Sequence, residues 1–564
     1  MPGMTSARID VARLAEIDCL ARRELADTGL PGLAIGLTGV DGPPEVLTRG
    51  LADLAAGRPV ELDTLFEIGS IGKTFTAIAI LQLAEEGRLD LDAPVVAALS
   101  WFEAPVVGRP ITIHDLLTHT AGITVGIDGT PEPASQVWAL RDRRPGSPPG
   151  QRFHYSNLGY KALGLVIEAV EGRPYPEVIR TRILEPLGMA ATEPAITNEM
   201  RARLAVGYEY LHDDRIGYPG RPLAPATWLE TATADGSIAS TARDMAAFAR
   251  MILRRGVGPD GRLISEASFA RMEQPHARTL LGNGYGYGLA TLGFGGRTFL
   301  GHYGGMIGYL AALLVDPAAE VAAVVLQNGS MGSPMGLARA ALAVMRGWQD
   351  GRPEDHGPEG GGAASDPSGV LTDGAAEPRA GEPDRAGVYR ADADRPDAEP
   401  LEITDGPDGP HLAWHGRPLA LEALGHGRFL VPDPDLDRFA LRFEPAEDPP
   451  VVVWHGPARF VREDVAAPPL PAPAPAVAAL AGHYRSHDPW VTNFRVILRG
   501  DVPWLVFAAA PDGFEDEQPL VPRADGSFRV GADPGGPEDL RFDMLLEGRP
   551  LRTWLSGFPY YRVE

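Results

Sequence analysis

Ser70 and Lys73 stand three residues apart in LFEIGSIGKTFTAIAILQLAEEG, residues 65–87, in a chain whose 51 basic side chains include only two lysines, Lys73 and Lys161. Every other basic residue is arginine. A serine hydroxyl attacks a carbonyl when a neighbour accepts its proton. A guanidinium stays charged near neutral pH and cannot accept it, whereas an amine can, once desolvation or nearby positive charge lowers its pKa. The apolar neighbours Ile71, Phe75, Ile78 and Ile80 offer that desolvation. On a helix starting near Ser70 the two residues share a face, and the helix N-terminus favours negative charge developing on Ser70. Ser-x-x-Lys alone is a weak signal because serine is common; the arginine bias elsewhere strengthens it. Lys161, in LGYKALGLVIEAVEG, has no such serine and reads as a solvated helix-face residue.

Two further stretches could join that pair. PGQRFHYSNLGYKALG places a phenol, Tyr155, and an amide, Asn157, at a helix entrance behind a proline and glycine loop. FLGHYGGMIGY places His302, Tyr303, Gly304 and Gly305 on a strand, with glycines that let a substrate approach the backbone. Other candidates carry less. His114 and His119 are five apart, so a helix does not present them as a zinc pair, and no third ligand follows at metal spacing. The glycines of GNGYGYGLATLGFGG lack a strand-to-helix crossover and read as tight turns or a mobile loop near a substrate, not as a dinucleotide site. No metal and no cofactor are expected.

These residues need a scaffold, and 564 residues suggest about three to five units at roughly 100–200 residues each. The 44% apolar and 22% charged content is that of a globular protein, and a net charge of -24 argues against nucleic-acid or anionic-membrane partners. One cysteine, Cys19, excludes an intrachain disulfide. The N-terminus alternates charged and apolar residues without a signal-peptide core, and the longest apolar runs fall short of the ~20 residues of a membrane span, so a soluble cytoplasmic protein is expected. Residues 1–349 open with an amphipathic helix and strand text and close with the strands TFLGHYG, GYLAALLVD and VAAVVLQN and a final helix. Several helical stretches lie between. That order predicts an α+β unit in which an antiparallel sheet made from both chain ends is flanked by helices and carries a helical insert. Residues 350–385 read as a flexible linker and 464–477 as a stiffer Pro/Ala spacer. The blocks they separate, 386–463 and 478–564, repeat each other: AGVYR matches AGHYR, GRFLV matches GSFRV, and LRFE matches LRFD. Short alternating strands with Asp-Gly and Gly-Pro turns predict a small antiparallel β-barrel for each copy.

With Ser-x-x-Lys, Tyr-x-Asn and a strand motif in that order, residues 10–348 resemble the serine β-lactamase and penicillin-binding-protein-like hydrolases, as do ITIHDLLTHTAGI and DGSIASTARDM. The paired barrels are similar to the architecture of bacterial D-aminopeptidases in that family. The resemblance implies that Ser70 attacks a carbonyl and is acylated, that Lys73 and Tyr155 share proton transfer, and that Asn157 positions the substrate and Lys73. It implies an oxyanion hole from the backbone amides of Ser70 and Gly305, with His302 and Gly304 beside the substrate. One departure bears on specificity. Carboxylate-recognising relatives carry Lys-Thr-Gly on the strand, and here His302-Tyr303-Gly304 stands instead, with a side chain mostly neutral above a pKa of about 6.5. The expected activity is therefore a D-aminopeptidase or amidase for small D-amino-acid derivatives, with a carboxylesterase of the same mechanism as the alternative. A β-lactamase or DD-carboxypeptidase fits less well, and an inactive fold used for binding least. The expected partner is a small amide, peptide or ester, with a homodimer left open. In the resembled D-aminopeptidases a barrel loop limits the active site, and RSHDPWVTNF (485–494) and the acidic APDGFEDEQP (510–519) are the segments that could do so here, the second reading otherwise as a solvated charged turn.

Overall fold

Three strands, Gly32–Gly39, Tyr309–Asp316 and Val321–Gln327, are apolar almost without interruption, which a strand tolerates only when both of its faces are covered. The computed structural model of the protein describes residues 9–347 and 385–563, apart from 127–131, 280–281, 393–397, 407–408, 426, 446–449 and 511–514. In it, successive strand residues enter two different cores. Leu33, Ile35, Leu314 and Val325 face one, which the two terminal helices, Val11–Thr28 and Pro334–Arg346, close with Ile17, Ala21, Leu337 and Ala341. Ala34, Leu313, Val324 and Leu326 face the other, closed by helices from the middle of the block. Two of these, Gly72–Glu85 and Ala242–Leu253, meet through Phe75 and Phe248, stacked with ring centroids 3.9 Å apart.

The sheet has nine antiparallel strands, in the order 277–278, 284–285, 290–294, 297–306, 309–316, 321–327, 32–39, 45–53 and 58–59. Its N-terminal hairpin adds to strands from the far end of the block, with Leu33 opposite Gln327 and Gly39 opposite Val321. This is the expected sheet from both chain ends with a helical insert. The glycine-rich stretch after Gly282 forms short strands and turns that bury Tyr285 and Tyr287, so on its described residues it is packed structure and not a mobile loop.

The repeated blocks form two barrel-like sheets. The second, between residues 482 and 562, is a closed eight-stranded barrel. The first has nine strands whose two edges, Arg417–Ala420 and Glu422–Gly425, are separated in the chain by Leu421 alone, so the sheet curls until its edges almost meet. The duplication reaches side chains. Tyr389 and Tyr484, the tyrosines of the matched AGVYR and AGHYR, are both fully buried, and each donates to a carbonyl four residues earlier, Arg385 at 3.0 Å and Leu480 at 2.7 Å. Asp437 anchors the first barrel to the 1–347 block, pairing with Arg215 at 3.0 Å and accepting from the Ile216 amide at 2.8 Å. The expected 350–385 linker lies, except for Arg385, outside the described residues. Among the described residues no helix is long and apolar enough to cross a membrane.

Candidate active site

A tight turn, Gly69–Ile71, leads into the helix Gly72–Glu85 and presents Ser70 at its start. Gly69 has a φ of 53°, and a Cβ there would lie 2.5 Å from the Gly305 carbonyl oxygen and 2.7 Å from its nitrogen. A Cβ at Gly304 would collide with the Ile68 carbonyl. Glycines on both sides thus let the strand Arg297–Met306 lie directly against the serine turn, bringing the Gly305 amide beside it.

At the second position of the helix, Lys73 is fully buried. Its Nζ lies 2.9 Å from Ser70 Oγ, 2.7 Å from Asn157 Oδ1 and 2.8 Å from the Asp235 carbonyl oxygen. The last two oxygens can only accept, so each takes an N–H; a neutral amine then has a lone pair left for the third direction, which is the hydroxyl of Ser70. The Tyr155 hydroxyl donates to Ser70 Oγ at 2.7 Å. Ser70 can therefore give its proton to Lys73 while accepting one hydrogen bond from Tyr155. That is the geometry of an activated serine nucleophile with a base on one side and a second proton carrier on the other.

Tyr155 and Asn157 are delivered by the start of the helix Asn157–Glu171. Ser156 caps it, accepting from Gly159 N at 3.1 Å, and the Val125 carbonyl accepts from the Asn157 and Leu158 amides at 2.8 and 3.2 Å. His119, which sequence spacing had marked only as a failed zinc ligand, organises this entrance. Held at a φ of 56°, it accepts from Ser156 N through Nδ1 at 3.0 Å, and its carbonyl accepts from His154 N at 2.7 Å. Its ring packs against Tyr155 with centroids 4.4 Å apart. Burial, with Lys73 nearby, holds its pKa well below the ordinary histidine value, so it stays neutral. The motif THTAGI was the signal that could have pointed to it.

His302 lies on the strand beside Ser70, but its ring is 1% exposed and turned to Tyr285. Nδ1 donates to the Tyr303 carbonyl at 2.6 Å, which leaves Nε2 to accept from the Tyr285 hydroxyl at 3.1 Å. Burial, reinforced by Lys73, lowers its pKa to about 3. At this position the site holds no cation at neutral pH. His114 is elsewhere, bonded to Tyr287 at 2.8 Å.

Lys161 corrects an expectation. It is buried, not solvated, with Nζ 2.7 Å from Gln136 Oε1 and 3.7 Å from Asp235 Oδ2. The helix Asn157–Glu171 is buried around most of its circumference for its first two turns, so the lysine has no water-facing side to occupy. Both lysines of the chain converge on Asp235, Lys73 on its carbonyl and Lys161 on its carboxylate.

Two carboxylates of the acidic 510–519 segment are held by arginines. Asp516 pairs with Arg428 at 2.6 Å, and Glu517 with Arg499 and Arg442 at 3.0 and 3.3 Å, so these carboxylates tie the barrels together; residues 511–514 lie outside the described set. In the 485–494 segment, Arg485 pairs with Asp213 at 2.5 Å. The barrel segment that approaches Tyr155 is another one, around Glu538, whose carboxylate lies 3.2 Å from His154 Nε2.

Glu67, three residues before Ser70, is buried, and desolvation pushes its pKa up to about 8 from 4.5. Because the folded pKa is the higher one, the contribution to stability is fully present below pH 4.5 and is lost as pH rises towards 8. Glu67→Gln, which keeps shape and removes the charge, is expected to melt near the wild type at pH 5 and increasingly above it towards pH 8. Thermal melts of both proteins across that range check this, and a pH-independent gap would refute it.

A beta-lactamase family model matches residues 17–344. Penicillin-binding protein 4 of Amycolatopsis lactamdurans is 33% identical over 316 residues, covering 54% of this chain and 82% of that protein. Esterase EstB of Burkholderia gladioli is 35% identical over 213 residues, 33% of this chain and 53% of that protein. Among solved structures, the octameric penicillin-binding protein homologue from Pyrococcus abyssi superposes with a TM-score of 0.57 at 26% identity, covering 80% of this chain and 100% of that one. With the match running across the serine turn, the Tyr155 entrance and the glycine strand, the chain belongs to the beta-lactamase family, whose members are serine hydrolases.

Proposed function

We propose that this protein hydrolyses amides or esters through an acyl-enzyme on Ser70, and that its substrates are small D-amino-acid derivatives, making it a D-aminopeptidase or amidase. The observation that carries the reading is the double engagement of Ser70 Oγ, by Lys73 Nζ at 2.9 Å and by the Tyr155 hydroxyl at 2.7 Å, inside a buried site. Lys73 takes the proton as Ser70 attacks, and Tyr155 passes one to the leaving group. Asn157 holds the amine in place, and the amides of Ser70 and Gly305 receive the developing oxyanion. The neutral, sequestered His302 supports a substrate that needs no cationic anchor for a carboxylate. The second reading, a carboxylesterase of the same mechanism, is favoured by the likeness to Esterase EstB.

Fluorophosphonate labelling of Ser70, with hydrolysis rates on D- and L-alanine p-nitroanilides beside p-nitrophenyl acetate, tests the proposal. The expected result is labelling lost in Ser70→Ala, preference for the D-anilide, and slow turnover of penicillins. Turnover confined to the acetate would favour the esterase, efficient penicillin hydrolysis would sink the reading of His302, and an unlabelled serine would sink the acyl-enzyme itself.

A further inference from the structure

The Tyr155 entrance is held from outside the family match. Glu538 precedes a strand of the second barrel, Asp539–Leu546, and is 4% exposed. Its Oε1 accepts from the Val125 amide at 2.7 Å and lies 3.2 Å from His154 Nε2, while Oε2 accepts from Ser556. Each of the first two contacts leads to the site in one step. Val125 offers its carbonyl to the amides of Asn157 and Leu158, and His154 is covalently joined to Tyr155. A single carboxylate thus clamps the two segments that set where the Tyr155 hydroxyl and the Asn157 amide sit. Burial by itself would raise the Glu538 pKa, but hydrogen bonds from His154, Ser556 and Val125 outweigh it and keep the group below the ordinary glutamate value.

The surrounding contacts are of a different kind. Asp533 pairs with Arg152, and both side chains are about half exposed, 49% and 52%. Such pairs contribute little, because water screens them. The Gly535 carbonyl accepts from Ser147 N at 3.0 Å. These attach the barrel, whereas Glu538 reaches residues adjoining Tyr155 and Asn157 with a desolvated charge, where a lost partner leaves a buried donor unpaired.

We propose that Glu538 is a positioning residue, through which the second barrel holds Tyr155 and Asn157 in register with Ser70 and Lys73. The active site is then complete only when that barrel is docked. The inference rests on the acyl-enzyme reading above for its kinetic consequence, but its structural consequence is independent of that reading.

The test uses the full chain with Glu538→Ala, Glu538→Gln and, as a surface control, Asp533→Ala. Three things are measured: the second-order rate of fluorophosphonate labelling, kcat and KM on p-nitrophenyl acetate, and amide hydrogen exchange by mass spectrometry. Glu538→Ala is expected to lower kcat and labelling by about 10- to 100-fold with KM little changed, the scale expected for misplaced catalytic groups. Glu538→Gln, whose amide oxygen can still accept from Val125, should recover a good part of the loss. Asp533→Ala should match the wild type. Exchange should accelerate in peptides covering 122–126 and 153–158 for Glu538→Ala and not for the control. If Glu538→Ala does not fold, the glutamine variant decides the matter on the same readouts. Wild-type rates in a folded Glu538→Ala, or equal losses in Asp533→Ala, would overturn the proposal in favour of simple attachment. If the wild type itself neither labels nor turns over, the functional reading fails, and the exchange data alone decide whether Glu538 holds the entrance.

Discussion

Lys73→Arg yields a folded protein in which acylation of Ser70 is slower by at least ~100-fold, the loss expected when a general base is removed. The substitution keeps donors for the same oxygen acceptors, and what it removes is the lone pair of the neutral amine. In the wild type the Asn157 and Asp235 oxygens occupy two N–H directions of Lys73, and the third faces Ser70 Oγ at 2.9 Å. A guanidinium can satisfy the same acceptors but has no lone pair to offer the hydroxyl. Because the position has no solvent exposure, the longer side chain costs about 1–3 kcal/mol in overpacking. Lys73→Gln is the smaller companion variant that separates this strain from chemistry. Circular dichroism, melting temperature and fluorophosphonate labelling rates measure the outcome, and near wild-type labelling in a folded Lys73→Arg would remove Lys73 from the role of base.

Lys161→Ala is expected to destabilise the protein by about 3–5 kcal/mol, the cost of leaving one partner of a buried ion pair alone. Asp235 Oδ2 loses its cation, and the Gln136 amide oxygen loses its donor. Because the backbone of Asp235 carries the carbonyl that orients Lys73, activity should fall with stability. Lys161→Met combined with Asp235→Asn removes both charges, keeps the volumes and retains the carbonyl. It should be more stable than Lys161→Ala and recover much of its activity. Denaturant melts of the three proteins, with labelling rates measured well below the transition, check this. A loss under 1 kcal/mol in Lys161→Ala would show that water enters to replace the ammonium.

Much of the scaffold is legible in the amino-acid sequence. Apolar runs at both ends of the first block predicted a sheet built from distant strands, and it forms with Leu33 opposite Gln327. Repeated tyrosine, phenylalanine and leucine positions predicted two related barrels, and Tyr389 and Tyr484 make the same buried bond in each. These features are encoded locally, by the period of a strand and by the recurrence of a motif, so they can be read one segment at a time. The pairing of Ser70 with Lys73 is equally local, because three residues of helix bring the side chains together whatever surrounds them.

Other parts of the site left no such trace. The third partner of Lys73 is the Asp235 carbonyl, a group every residue possesses, so no residue type marks it. Lys161 looked solvated because helical spacing says which residues share a face but not what packs on it; the 133–138 helix and the Asp235 loop bury it. His119 matters through a positive φ and a ring nitrogen turned to Ser156, both products of the folded backbone. Glu538 stands more than 380 residues from His154 along the chain, and only barrel docking brings them to 3.2 Å. By itself the amino-acid sequence determined the local pairing of Ser70 with Lys73, the order of the motifs and the kinds of layer that carry them, because those depend on side-chain chemistry and short-range periodicity. The tertiary structure decided which backbone groups hold the amine of Lys73, that both lysines are buried, and which distant carboxylate meets the segment before Tyr155, because hydrogen bonds and desolvation depend on what the whole fold brings within about 3 Å of each group.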